Sequence, residues 1–320
     1  MTLHEDEIPT DELLVRRLLA EQRPEWAELP VRAAGSGTDN RMFRLGDGLL
    51  VRLPRTPGTA DAVRKEQVWL PRLAPELTCV VPEPVHRGRP GGGFPLPWSV
   101  YRWIEGAEAG QESVADWAAF GTELAAAVRA LHAVPLPPED ERHGLQWYRG
   151  GELAACADSI GASFAQARAL PGLRQGPGLR QGRGLGQGLD LDLDLDRLEA
   201  VWRAALALPV PSAPPVWLHG DLKPSNLLVR DGRLHAIIDF GCLSIGFPDA
   251  EHAPLWDVPA AARHAYRAAL GVDEQTWQRA CGWAVAVAIS GVPYYWESDP
   301  AFVAECVARL RAVLDDPAGL

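Results

Sequence analysis

The stretch from Val216 to Gly241, VWLHGDLKPSNLLVRDGRLHAIIDFG, constrains this chain more than any other. Its two apolar segments, LLV and LHAII, flank Asp231-Gly232, a dipeptide that tolerates the positive-φ turn of a tight hairpin. Such a hairpin brings its two ends together, so Asn226 at the entry and Asp239 at the exit are expected side by side. An amide oxygen and a carboxylate are hard ligands of the kind that suit Mg2+, with phosphate oxygens and water completing the octahedron. Asp221 leads into the same hairpin, two residues after His219. A carboxylate there would hydrogen-bond an incoming hydroxyl and accept its proton. His219 is read as a residue that fixes the loop rather than as a base.

The chain around this run changes its hydrophobic period about one third of the way along. A first helix is read from Thr10 to about Ala20, with Leu13, Leu14, Leu18 and Leu19 at helical spacing and Thr10 as the cap. Strands follow at 29–34, 41–45 and 49–53, separated by Gly35-Ser36-Gly37 and Gly46-Asp47-Gly48, then a helix at 59–73 and strands at 80–85 and 98–104. From Ser113 the pattern is helical, with Ser113 and Asp116 at capping-box spacing and an apolar stripe from Trp117 to Leu131. Another helix is read from Asp196 to about Leu208, and helices again from about Ala260. The fold class is therefore α+β, with a small β-rich lobe at 1–103 and a larger, mostly helical lobe at 104–320. PGLRQG repeats at 171–182 and decays to RGLGQG, followed by alternating Leu and Asp up to Asp196. So few Gly-rich copies build no stacked core. The alternation could be a strand, but aspartate is a poor strand former. Residues 171–195 are read as a low-complexity, disordered surface insertion.

Composition narrows the function. A net charge of -11 disfavours a nucleic-acid binder. The first twenty residues show no secretory signal, and the uncharged run between Arg279 and Glu297 reads as a buried helix with a Gly-Pro exit, not a membrane span. Five cysteines without a C-x-x-C pair suit reduced thiols in a cytoplasm. The expected partners are small molecules, with the chain a monomer or homodimer.

At His219-Gly220-Asp221-Leu222 with Pro224 and Asn226, followed by Ile238-Asp239-Phe240-Gly241, the sequence resembles two related families. Protein kinases carry H-R-D-L-K-P-x-N and D-F-G. Aminoglycoside phosphotransferases carry H-G-D-L-x-P-x-N and I-D-F-G, and Gly220 makes this second family the better fit. The resemblance extends over most of the chain and implies a two-lobed protein-kinase-like fold. It implies transfer of the γ-phosphoryl group of ATP or GTP, with Mg2+, to a hydroxyl of a small molecule such as a sugar-bearing antibiotic. Asp221 would be catalytic, with Asn226 and Asp239 as metal ligands. Ser36, Gly37, Thr38, Asp39 and Asn40 would form the phosphate-covering loop. Arg52 would stand where kinases have a phosphate-holding lysine, paired to Glu66. Tyr101, Trp103 and Ile104, in WSVYRWIEG, would lie in the segment joining the lobes, where a purine meets backbone.

The chain also departs from the family pattern. After I-D-F-G the run is CLSIGFPDAEHA, with Cys242 and Phe247 in place of acids that commonly support the catalytic loop. Glu251 could stand for the last of these acids or touch substrate, and Asp249 could compensate from a shifted position. Acceptor contacts are expected at the helix end holding Tyr294, Tyr295, Trp296, Glu297 and Asp299, with a weaker claim for Trp256 and Asp257. A metabolite kinase for choline, homoserine or a sugar is the close alternative, since fold and motif do not set the substrate. A protein kinase or a nucleotide-binding pseudokinase comes after it.

Overall fold

In the computed structural model, residues 6–37, 39–171, 173–174 and 191–316 are described, without the side chains of Ser36, Arg174 and Leu191. Along the chain run α1 (Glu12–Gln22), β1 (Val31–Ser36), β2 (Asn40–Leu45), β3 (Leu49–Pro54), α2 (Ala60–Leu73), β4 (Pro84–Gly88), β5 (Trp98–Arg102) and β6 (Ala107–Glu108). Then follow α3 (Trp117–Ala133), α4 (Ala157–Ala169), β7 (Leu173–Arg174), β8 (Leu191–Asp192), α5 (Leu195–Leu206), β9 (Val216–Leu218), β10 (Leu227–Arg230) and β11 (Arg233–Ile237). The last elements are β12 (Ser244–Gly246), α6 (Ala260–Leu270), α7 (Glu274–Tyr295) and α8 (Pro300–Leu314). The chain divides into two compact units, one of Met1–Ala115, Pro137–Leu145 and Ser225–Leu243, the other of Asp116–Leu136, Gln146–Pro224 and Ser244–Leu320.

The first unit is built on an antiparallel sheet in the order β1-β2-β3-β5-β4. Alternate strand residues such as Phe43, Val51, Leu53, Trp98 and Val100 are buried together with Leu14, Val15, Leu18 and Leu19 of α1. Asp11, not Thr10, caps α1, its carboxylate accepting the Leu14 N–H at 2.7 Å. The strand expected from residue 80 starts only at Pro84. Val80 instead joins the hairpin of β10 and β11, donating its N–H to His235 O at 3.1 Å and accepting from Ile237 N at 3.0 Å. That hairpin turns at Asp231 and Gly232, with φ of 53° and 79°, both positive as a two-residue type I′ turn requires. A third strand, β6, completes this small sheet.

The second unit is mostly helical. Asp116, not Ser113, caps α3, accepting the N–H groups of Ala118 and Ala119 while the Ser113 hydroxyl bonds Gly110 and Glu108, and α3 packs on α6 at Gly121, where a Cβ would lie 2.1 Å from the Ala262 carbonyl oxygen. The uncharged run expected as a buried helix lies in α7, whose residues from Ala280 to Ala286 are all buried and which continues through Pro293 to Tyr295. Among the described residues no helix is long and apolar enough to cross a membrane.

The reading of 171–195 as a disordered insertion falls largely on residues 172 and 175–190, outside those described. At its edges it is corrected. β7 and β8 pair in parallel, Leu173, Leu193 and Leu195 are buried, and Asp194 caps α5 by accepting the Arg197 N–H. Alternation puts leucine inward, while the aspartates that disfavour a long strand serve as solvated positions and a cap.

Candidate active site

In the first unit, the hairpin joins the two ends of the motif. Ile238 donates its N–H to Asn226 O at 2.9 Å, one step beyond the Leu227–Ile237 pair, so Asn226 and Asp239 sit at the open end of the ladder. Asn226 is buried. Asp239 adopts a left-handed backbone, φ 64° and ψ 67°, uncommon for a residue with a Cβ and typical of strain kept for a site. Its side chain is 43 % exposed.

Arg52, on β3, connects this hairpin to α2. Its Nη1 donates to both oxygens of Glu66, at 2.9 and 3.0 Å, and its Nη2 donates to Asp239 Oδ1 at 2.8 Å. The planar guanidinium makes both contacts at once, which a lysine could not do with the same geometry. Burial works to discharge Arg52, but the charges of Glu66 and Asp239 outweigh it and hold the guanidinium firmly protonated. Glu66, 2 % exposed, also accepts from the Tyr101 hydroxyl at 2.5 Å. Burial first, and then the Glu66 charge, push that phenol well above its ordinary range. The side chain of Tyr101 is thus committed to the Arg52–Glu66 pair, and its main chain lies in β5 between β3 and β4. Trp103 and Ile104 follow the strand, with Trp103 donating its N–H to Gly48 O and its ring beneath Arg44.

The expected phosphate loop is only partly on view. Gly37 donates its N–H to Asn40 O at 3.1 Å, Asn40 is buried and Asp39 exposed, and Asp39 O accepts the Arg55 N–H. Thr38 and the side chain of Ser36 lie outside the described residues.

In the second unit, the loop of His219, Gly220 and Asp221 is held from several sides. Buried His219 accepts the Asp221 N–H on its Nδ1 at 3.1 Å. Gly220 has φ 83°, a conformation open to glycine and costly for arginine. Glu251 is 1 % exposed, and its two oxygens accept the N–H groups of His219 and Gly220 at 2.8 and 2.7 Å. Of its two sequence readings, support of the loop is the one these bonds fit, and contact with an acceptor is not. Burial raises the Glu251 carboxyl to about 7, although those two N–H groups pull the other way. Asp221 is 23 % exposed. Burial pushes its carboxyl up, and Arg149, Lys223 and His219 more than reverse this, leaving it below its ordinary value. Arg149 was not legible in the sequence. Its Nη1 donates to Asp221 Oδ1 at 2.9 Å and to Gly220 O at 2.8 Å. The only hint is a charged residue inside the aromatic and glycine run WYRGG.

The other expected residues are scattered. Asp249 does not reach the loop in any described bond; it is buried against Arg279 of α7 at 2.9 Å, and burial lifts its carboxyl above the ordinary range. Trp256 is buried against Trp277, and Asp257 binds Arg309 of α8 through both oxygens. Tyr295 packs edge-on to Phe302 at 4.8 Å, Trp296 is half-buried, Glu297 is exposed, and Asp299 caps α8. Among the described residues no three of His, Cys, Asp and Glu gather to hold a metal by themselves. A metal here would rest on Asn226 and Asp239, an amide and a carboxylate whose remaining partners come from solvent and phosphate, as Mg2+ accepts.

Residues 30–283 match the family model described as the phosphotransferase enzyme family, APH. The fold is that of an aminoglycoside 2'-phosphotransferase-IIIa solved as its GDP complex, at TM-score 0.70 and 20% identity, covering 95% of this chain and 98% of that one. It is also that of macrolide 2'-phosphotransferase MphH from Brachybacterium faecium, at TM-score 0.60 and 21% identity, covering 94% and 98%. A search of curated proteins gave no match. The matched span takes in the β3 arginine, the hairpin and the Asp221 loop, and on that ground the chain belongs to the APH phosphotransferase family, with its protein-kinase-like fold.

Proposed function

We propose that this enzyme transfers the γ-phosphoryl group of ATP or GTP to a hydroxyl of a sugar-bearing antibiotic. The observation that carries the reading is the linked set in the first unit, Asn226 beside Asp239 with Arg52 joining Asp239 to Glu66. Asn226 and Asp239 would hold Mg2+, which when bound neutralises charge developing on the phosphates. Arg52, held protonated, and the residues at 36–40 hold phosphate oxygens. Asp221 orients the acceptor hydroxyl and takes its proton as the new O–P bond forms and the bond to the β-phosphate side breaks. Asp221 is ionised at neutral pH and so is ready to accept. The relatives in the fold comparison act on aminoglycosides and macrolides, as their names state, and either class supplies a sugar hydroxyl. Nucleotide and free thiols suit a cytoplasmic enzyme, and all five cysteines are free.

The test is transfer from ATP and GTP, with magnesium, to a panel of aminoglycosides, macrolides, choline and homoserine, beside Asp221→Ala. Turnover of an antibiotic that vanishes in the variant, with nucleotide binding kept, is the expected result. Turnover of choline or homoserine alone would move the enzyme to the metabolite kinases. Undiminished turnover in Asp221→Ala would remove Asp221 from the mechanism.

A further inference from the structure

A proton-accepting carboxylate works only if one oxygen is aimed at the hydroxyl and stays there, since a small misplacement costs orders of magnitude in rate. Asp221 sits on a glycine-containing loop, and Gly220 is gripped through both its backbone groups. Glu251 takes its N–H, and Arg149 donates to its carbonyl at 2.8 Å. The same Arg149 Nη1 donates to Asp221 Oδ1 at 2.9 Å. One cation therefore fixes both the main chain before Asp221 and the rotation of its carboxylate.

Arg149 is itself held in place. Its Nε donates to the Tyr148 hydroxyl at 2.9 Å. The short turn that carries it, Tyr148–Gly150, is fastened to β12. Phe247 donates its N–H to Gly150 O at 2.9 Å, and the backbones of Gly150 and Gly246 meet so closely that a Cβ on Gly246 would lie 2.2 Å from Gly150 O. Other charges facing Asp221 come from different places. Lys223 and His219 lie on its own loop, Arg309 on α8, and Glu251 after β12. Lys223 lies over the Phe302 ring.

We propose that Arg149 is a positioning residue for the transfer, aiming the Asp221 carboxylate at the acceptor hydroxyl by holding Asp221 Oδ1 and Gly220 O together. It rests on the phosphotransferase reading and assigns a role to a residue outside the family motif. A guanidinium that aims a base acts on kcat and leaves nucleotide binding alone. The experiment compares wild type, Arg149→Ala, Arg149→Lys and Asp221→Ala for transfer from MgATP or MgGTP to whichever antibiotic of the panel is turned over, or otherwise to water, measured as phosphate release. Arg149→Ala is expected to lose about 100-fold in kcat, with nucleotide KM and the thermal midpoint near wild type. Added guanidinium ion should recover part of the loss, and Arg149→Lys should fall between. Unchanged kcat in Arg149→Ala, with Asp221→Ala inactive, would overturn the positioning role and leave the phosphotransferase reading standing. Loss in Arg149→Ala without rescue by guanidinium and without an intermediate rate in Arg149→Lys would also overturn it. Full activity in Asp221→Ala, or no transfer by wild type to any acceptor, would remove the reading beneath it.

Discussion

Replacing Glu251 by glutamine should separate what the Asp221 loop needs from what the fold prefers. Both carboxylate oxygens serve backbone N–H groups, yet the group is sealed from water and its carboxyl rises from 4.5 to about 7. The native state therefore keeps a proton on Glu251 across a range where the unfolded chain has already released it. Stability from this group is full below pH 4.5 and is lost as pH rises towards about 7. At about 1.4 kcal/mol per pH unit, that interval costs the wild type about 3 kcal/mol by pH 8. Glutamine has the shape of the protonated acid and no charge to bury. Urea unfolding at pH 5, 6, 7 and 8 should show the two proteins nearly equal at pH 5. The variant should pull ahead as pH rises, by up to about 3 kcal/mol at pH 8. Its turnover should fall all the same, because an amide accepts one N–H well and presents its own N–H to the other. A stability difference that does not move with pH would refute the claim that Glu251 is buried at a cost. A variant less stable at pH 8 than at pH 5, relative to wild type, would refute its sign.

Two further substitutions probe the frame around the site. Arg52→Ala leaves Glu66 buried without its cation and should cost about 3–5 kcal/mol in unfolding experiments; Arg52→Met with Glu66→Leu should recover most of that stability but not nucleotide binding, measured by calorimetry with MgATP. Gly121→Ala puts a methyl group 2.1 Å from the Ala262 carbonyl oxygen, so α3 and α6 must part, at about 1–3 kcal/mol, seen as a lower thermal midpoint.

The hairpin was readable because its cause is local. Asp231-Gly232 dictates the turn, and the turn dictates that residue 226 meets residue 238. The caps were less readable: α3 is capped by Asp116 and not by Ser113, and α5 starts behind Asp194, ahead of the Asp196 start read from the pattern. Arg149 was not readable, because nothing near position 149 shows that Asp221, 72 residues on, will be beside it. The seam with β12 is one of the contacts that set that approach. Val80 was misread for a related reason. Its apolar run fits any strand, and its partner in β11 comes more than 150 residues later in the chain. The Leu-Asp alternation was misjudged by weighing aspartate as a strand former, when Asp194 serves as a helix cap. Glu251 carried two readings because a motif shows that an acid is present but not whether it faces inward.

The meeting of Gly150 with Gly246 bears on how this enzyme can change over generations. Two positions with no side chain, and so no chemistry of their own, form the contact between β12 and the turn carrying the arginine that grips Asp221. A single added methyl at 246 would press on the Gly150 main chain and, through the neighbouring Arg149 side chain, on the Asp221 carboxylate. Variation here is bounded by backbone clearance, so the route to altered acceptors runs through the surrounding side chains and leaves this glycine seam intact.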